Sequence, residues 1–152
     1  MQDTLKKDFT LRIAQANRSE LIVIIYEMCL VYLKEALEDV DRAENIARAR
    51  ACVDELKESL NFEYEPASQL LHLYIHVNKL LVQAAAGGRK EPLTEAESII
   101  RRLHDEFQKI SESDDSPPLV HNAQEVYAGY TYGKNDINVN IGNDEKRRGF
   151  LA

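Results

Sequence analysis

Glycine and proline are scarce in this chain and unevenly placed. It contains six glycines and four prolines among 152 residues, and before Gly87 the only residue of either type is Pro66. Both residues interrupt regular helices, glycine through its flexibility and proline through its missing N–H group. Their absence from the first half predicts long helices there. Their return at Gly87-Gly88, and again from Pro117 onward, predicts that irregular chain comes last.

The chain also lacks an excess of basic residues. Nineteen lysines and arginines stand against 26 aspartates and glutamates, which gives a net charge of −7. Binding to nucleic acid or to an anionic membrane surface needs a basic patch that neutralises phosphate. The composition therefore argues against both of these partners.

Cysteines are few, and the first residues contain no apolar leader. Cys29 and Cys52 both fall within helical apolar patterns. In a reducing compartment two such residues behave as small hydrophobic side chains and do not form a disulfide framework. The segment from Met1 to Thr4 is polar and unlike a secretory signal. We therefore expect a cytoplasmic location.

One apolar run is conspicuous, from Leu21 to Leu33, and only Glu27 interrupts it. It is too short to cross a bilayer, which takes about 20 apolar residues, so no membrane insertion is expected. As a helix it would be apolar around most of its circumference, whereas a surface helix usually has a single apolar stripe. Such a helix is either enclosed by its own protein or offers one face to a partner.

Helix-starting residues and apolar periodicity predict four long helices. Asn17 and Glu20 form a capping box that begins the first of them at Arg18. The third and fourth begin near Pro66 and Pro92, because proline suits the first turn of a helix. A heptad seam marks the second helix, and its residues are Ile46, Ala49, Val53, Leu56 and Leu60.

These elements predict an all-α fold with two regions. Short connections between long helices are typical of an antiparallel up-and-down four-helix bundle, which is here preceded by a short N-terminal helical segment. Residues 1–112 are predicted to form this bundle domain. Residues 113–152 are predicted to be a tail that is irregular or contains a short hairpin near Gly133–Asp136.

Nothing in the chain indicates catalysis. It has no serine in a nucleophile elbow and no glycine loop that could hold phosphate before a helix. Glu27 is embedded in the apolar run, but a general acid with a raised pKa would need a second polar group nearby in a cleft. We therefore expect Glu27 to be solvated or bonded to a tyrosine, and we expect no enzyme, no catalytic residue and no cofactor.

Two patterns that resemble metal sites each lack a required ligand. His72 and His76 lie one helical turn apart, but Leu73 stands where a zinc protease has its glutamate. The pattern Asp136-x-Asn138-x-Asn140 resembles the start of a calcium loop, yet Arg147 occupies the twelfth position, where a bidentate glutamate belongs. We expect surface histidines and no bound metal.

Three motifs follow one another along the helices. The segment from Leu21 to Glu27 matches a Leu-x-x-x-Leu-Tyr-Asp pattern, Leu60-Asn61-Phe62-Glu63 matches Leu-Asp-Phe-Glu, and Leu73-Tyr74 matches Leu-Tyr. In order and spacing they resemble the FliS family, the flagellar export chaperones of bacteria. The likeness spans residues 9 to 112. The Ser-Pro helix start of that family is Asn17-Arg18 here, which keeps the cap and loses the proline.

The resemblance implies a chaperone that acts in the cytosol. Such proteins bind the C-terminal region of flagellin, which is disordered in the monomer, and prevent its premature polymerisation. They pass the cargo to an export-gate membrane protein of the flagellar type III export apparatus. Apolar grooves on the bundle would receive the flagellin segment as helix and extended chain. The alternatives are a helical homo-oligomer, such as a homodimer, with a structural role, and a metal-dependent enzyme that uses His72 and His76.

Site residues follow from this resemblance. The predicted flagellin-binding surface combines the first long helix with the third, and its residues are Ile22, Ile25, Tyr26, Cys29, Tyr74, Val77 and Leu81. The N-terminal segment is predicted to cover this surface until cargo displaces it, through Leu5, Phe9 and Ile13.

Overall fold

The computed structural model describes residues 1–120, and over this range the chain contains five helices and no strand. The helices are α1 (Asp3–Gln15), α2 (Arg18–Leu37), α3 (Arg42–Glu58), α4 (Ala67–Gly87) and α5 (Glu91–Glu112). The described part is therefore all-α, as predicted. The predicted hairpin near Gly133–Asp136 and the calcium-like pattern after it lie outside the described residues.

The ends of the helices follow from local sequence. The capping box is confirmed, because the Asn17 side chain accepts a hydrogen bond from the Glu20 amide at 2.9 Å and the Asn17 amide donates to Glu20 Oε1 at 2.8 Å. At the end of α4, Gly88 adopts a φ of +71° and its amide donates to the Ala84 carbonyl at 3.1 Å. A left-handed residue of this kind is a common helix stop and favours glycine. Pro92 lies in the first turn of α5.

The four longest helices pack as a ring in which α2 and α4 each contact both α3 and α5. A hydrogen bond joins the start of α2 to the end of α3, from Arg18 Nη2 to the Ser59 carbonyl at 2.6 Å, and a second joins the middles of the two helices, from Cys29 Sγ to the Ala49 carbonyl at 3.7 Å. This order of contacts is consistent with the predicted antiparallel arrangement. Helix α1 packs only on α2 among the described helices.

The apolar core lies at the centre of the ring. All the predicted seam residues of α3 are buried except Leu60, which follows the helix and is half-buried. Cys29 and Cys52 are free and buried in the same core. The neighbouring Cys52 thiol, together with burial, raises the pKa of Cys29. Both cysteines thus act as small apolar side chains, as expected.

Candidate partner-binding site

Most of the residues predicted to bind flagellin lie inside the bundle. Two, Ile22 and Ile25, are half-buried at the edge of the core. The other five are buried in it, namely Tyr26, Cys29, Tyr74, Val77 and Leu81. In this conformation these five side chains lie in the core, and their contact with flagellin stays a prediction. The apolar run of α2 covers almost the whole circumference of the helix, so the sequence does not distinguish the side that meets the bundle.

The N-terminal helix covers a different face of α2 from the one predicted. Phe9 of α1 is 4% exposed and packs with Ile24 in an apolar cluster separate from the main core. Half-buried residues complete this cluster, among them Leu5, Leu21, Met28 and Val31. We call Leu21, Ile24, Met28 and Val31 the α1-covered face. At about 100° per residue, Ile24 and Tyr26 lie on nearly opposite sides of α2.

One of the three predicted covering residues does not take part. Ile13 is 38% exposed and lies outside the cluster that Phe9 and Leu5 form with α2. Phe9 and Leu5 pack on Ile24 of α2 rather than on Tyr26 and Cys29. That the N-terminal segment covers the flagellin-binding surface stays a prediction.

Glu27 joins three helices through one carboxylate. Its Oε1 atom lies 2.7 Å from Arg12 Nη2 of α1, and its Oε2 atom lies 3.2 Å from His104 Nε2 of α5. His104 Nδ1 in turn lies 3.0 Å from Asp105 Oδ1. Sequence reasoning missed both partners of Glu27, since it expected solvent or a tyrosine. A polar cavity of about 320 Å³ adjoins these groups and is lined by Arg12, Glu20 and Glu27, among others.

Residues 114–119 cross the junction of α1 and α2, and we call them the strap. The Asn17 side-chain amide donates to the carbonyls of Asp114, at 3.3 Å, and Ser116, at 3.1 Å. The Leu119 amide donates to the Ala16 carbonyl at 3.0 Å. Ser19 Oγ donates to Asp114 Oδ2 at 2.5 Å. The sequence predicted only a polar linker here, because hydrogen bonds to distant backbone leave no periodic pattern.

A second cavity opens at the end of the bundle where α2 begins. Its volume is about 360 Å³. Apolar side chains form most of its lining, including Ile22, Leu60, Leu70, Phe107 and Ile110, and Tyr74 contributes as well. Polar residues also line it, including Arg18, Ser19, Ser59 and Asn61. We call it the terminal groove. It brings together two of the predicted binding residues, Ile22 and Tyr74, and two residues of the Leu60-Asn61-Phe62-Glu63 motif.

The histidines of α4 do not belong to a metal centre in the part of the chain that the structure describes. His72 and His76 are both exposed, and His76 Nε2 lies 3.3 Å from Glu95 Oε2 on α5. No group of three histidine, cysteine, aspartate or glutamate side chains within residues 1–120 could hold a metal ion. A pair of exposed imidazoles with one carboxylate contact is typical of a solvated helix face.

No helix among the described residues has the length and apolar character needed to cross a membrane.

Comparison with known proteins identifies a family for this chain. No curated protein matches the chain. A family described as "Flagellar protein FliS" matches residues 1–114, which include all five helices and both sides of the α1–α2 junction. Since this match covers well over half of the 152 residues, the chain belongs to the FliS family of flagellar proteins.

Proposed function

We propose that this protein is a cytosolic export chaperone for flagellin. In this proposal it binds the C-terminal region of flagellin, prevents premature polymerisation and delivers the cargo to an export-gate membrane protein of the flagellar type III apparatus. The observation that carries the proposal is the family match over residues 1–114, since FliS proteins have a flagellar export chaperone role. The same role involves no catalysis, and we propose none here. We further propose that the ring of helices is an antiparallel up-and-down bundle.

The way in which α1 is attached to α2 supports its role as a cover that cargo can displace. Among the described helices it packs on α2 alone, and its apolar contacts form a small cluster apart from the main core. Its release would uncover the α1-covered face while leaving the ring of α2, α3, α4 and α5 intact. An amphipathic segment of a disordered partner could then pack in the place of α1, because helix-in-groove binding offsets the entropy lost on ordering.

The predicted contact residues take different roles in this proposal. Ile22 and Ile25 are half-buried at the rim of the core and remain proposed flagellin contacts. The five buried ones support the shape of the bundle from inside. Of the predicted cover, Phe9 and Leu5 leave α2 when cargo binds, and Ile13 moves with the same helix.

The proposal is tested by titrating the full chain with a flagellin C-terminal peptide. Isothermal titration calorimetry should give a dissociation constant below about 10 μM, a weak limit for a specific interface of standard size. Val31→Asp places a charge on the α1-covered face and should weaken binding about tenfold or more, because the charge would be buried without a partner. Val82→Asp is the matched control, since Val82 is 46% exposed on α4.

Two results would contradict this assignment. If the wild-type protein does not bind the peptide with a dissociation constant below this limit, the proposed chaperone function is contradicted. If Val31→Asp and wild type have equal affinity for the flagellin peptide, and circular dichroism shows unchanged helical content, the α1-covered face is not the binding site. Weakened binding by Val82→Asp alone would move the site to α4.

A homodimer with a structural role is the second candidate, and a feature of α4 favours it. Ile75 and Val82 are 38% and 46% exposed and lie seven residues apart, on one face of that helix. Two copies could bury these side chains against each other. Sedimentation equilibrium of wild type and Val82→Asp distinguishes the candidates, because a dimer formed through α4 would dissociate in the variant whereas a monomeric chaperone would be unaffected.

A further inference from the structure

The terminal groove presents apolar surface that no described residue covers. Ile110 is 46% exposed and Tyr64 is 51% exposed, and both line it. Exposed apolar side chains gathered in one cleft are a candidate binding surface, because their hydration is unfavourable. The groove also has polar groups among its lining, at Arg18, Ser59 and Asn61. A fitting occupant therefore has an apolar body and a polar tip.

The strap begins beside this groove and ends at the junction of α1 and α2. Ser19 lines the groove and also holds Asp114, the first strap residue, by a hydrogen bond of 2.5 Å. Leu119 is fixed to the Ala16 carbonyl, next to the first turn of α2. In a helix, one residue rises about 1.5 Å, so the start of α2 and Ile22 in the groove are within about 10 Å of each other. The described chain thus ends close to the groove.

The sequence beyond the strap supplies an occupant of the required chemistry. Residues 126–132 read Val-Tyr-Ala-Gly-Tyr-Thr-Tyr, with tyrosines at 127, 130 and 132. Tyrosine combines a large apolar ring with a hydroxyl that forms hydrogen bonds. Residues 121–125 separate this segment from the described chain, and an extended stretch of that length spans about 17–20 Å. The segment can therefore reach the groove from Val120.

We propose that residues 126–132 of the same chain dock in the terminal groove. The tyrosine rings would lie on Ile22, Leu60 and Ile110, with their hydroxyls toward the polar lining. A tethered segment has an effective concentration in the millimolar range, so modest contacts suffice to keep it bound. This interaction goes beyond the proposed chaperone function and does not depend on it. It would be a feature added to the family fold, because the family match ends at residue 114.

Nuclear Overhauser effects in the full-length protein test the contact. Protein with labelled isoleucine and leucine methyl groups should show effects between the ring protons of Tyr127, Tyr130 and Tyr132 and the methyls of Ile22, Leu60 and Ile110, in addition to the effects from Tyr64 and Tyr74, which line the groove themselves. The effects from the tail tyrosines should disappear in the full chain carrying Tyr127→Ser, Tyr130→Ser and Tyr132→Ser. A matched control in the same tail, Ile137→Ser with Val139→Ser, should retain them. Loss of these effects in the control, or their persistence in the tyrosine variant, would overturn the proposal.

Chymotrypsin, which cleaves after tyrosine, gives an independent measure. Docking should protect Tyr127, Tyr130 and Tyr132, and Ile110→Glu should accelerate cleavage at them about tenfold or more, since cleavage follows the population of the open state. Val40→Glu is the matched control, because Val40 is 47% exposed and Ile110 is 46% exposed. Equal cleavage of Ile110→Glu and wild type would overturn the proposal.

Other occupants of the groove appear as distinct results. Nuclear Overhauser effects that are seen only between labelled and unlabelled molecules in a mixed sample would place the tail of a second copy in the groove. That result would contradict the intramolecular contact. Groove methyl groups that contact no tail tyrosine, but do contact an added flagellin peptide, would assign the groove to cargo instead. That result would contradict the docking of residues 126–132 and would leave the proposed chaperone function intact. If the tail contacts are seen but the flagellin peptide does not bind, the docking is supported and the chaperone function is contradicted.

Discussion

Tyr26 of α2 and Tyr74 of α4 share a hydrogen bond between their hydroxyl groups in the centre of the bundle. The two helices face each other across the ring and do not otherwise pack together, so these side chains bridge the core. Burial raises the pKa of both phenols, and for Tyr26 it does so far beyond the ordinary range. The ring of Phe107 from α5 lies 5.5 Å from that of Tyr26. Three of the four ring helices therefore meet at one buried polar contact.

Removing both of these hydroxyls should cost less stability than the sum of the two single removals. Tyr26→Phe leaves the Tyr74 hydroxyl buried without its partner, so we expect the free energy of unfolding to fall by about 1–3 kcal/mol. Tyr74→Phe should have a similar effect. The double variant should be destabilised by less than the sum of the two, because no orphaned hydroxyl remains. Urea unfolding followed by circular dichroism measures all four proteins, and strictly additive losses would contradict the pairing.

The sequence predicted the elements of this fold better than it predicted their faces. The capping box at Asn17 and Glu20, and the seam of α3, are encoded by neighbouring residues and were predictable from spacing alone. The face of α2 that packs against the bundle was not predictable, because a helix that is apolar on nearly all sides does not indicate which side faces the core. Tyr26 and Ile24 are both buried, yet one lies in the main core and the other under α1.

The contacts of Asn17 show a second kind of limit. Its capping role is local and follows from the sequence, whereas its two hydrogen bonds to the strap join residues almost 100 positions apart. No periodicity or composition signals such a contact, since the strap contributes backbone carbonyls that every residue possesses. The candidate site likewise depends on the contacts that α1 and the strap make with α2. These are tertiary contacts, so they follow from the folded structure and not from local sequence.

Phe9 is the main apolar attachment of α1, and its truncation should favour cargo. If α1 and flagellin compete for the α1-covered face, Phe9→Ala raises the population of the open state. Each 1.4 kcal/mol of lost α1 packing would then raise the apparent affinity for the flagellin peptide about tenfold. The control is Leu11→Ala on the same helix, where the side chain is 54% exposed. Weaker binding by Phe9→Ala, measured by calorimetry, would show that α1 contributes to the site rather than covering it.

Glu27 should hold α1 against the bundle through charge. Glu27→Gln removes the ion pair with Arg12 and the carboxylate contact with His104, and partly exposed pairs of this kind contribute about 0–1 kcal/mol each. We therefore expect the amides of α1 to exchange hydrogen up to about fivefold faster, while those of α3 stay unchanged. Glu95→Gln is the control, because it removes a comparable contact with His76 far from α1. Uniformly faster exchange in all helices would indicate global destabilisation instead.

The strap should loosen in acid because Asp114 holds it as a carboxylate. Hydrogen bonds from Ser116 and Ser19 lower the pKa of Asp114 below its usual value of 3.8. A lowered pKa means that this contribution is complete above the usual value and is lost as pH falls through the lowered one. The Leu119 amide, bonded to the Ala16 carbonyl, reports the state of the strap. Its chemical shift should stay constant from neutral pH to about pH 5 and change below about pH 4.

Substitution separates this effect from general acid unfolding. Asp114→Asn keeps the size of the side chain but replaces the carboxylate, so its Leu119 amide should already have the acid-like shift at neutral pH. Asp115→Asn is the control, because within the described residues Asp115 makes no side-chain hydrogen bond or ion pair. Since the strap also holds Asn17 at the junction of α1 and α2, Asp114→Asn should shift the Asn17 side-chain amide as well. A Leu119 shift that is identical in Asp114→Asn and wild type at neutral pH would show that backbone contacts alone keep the strap in place.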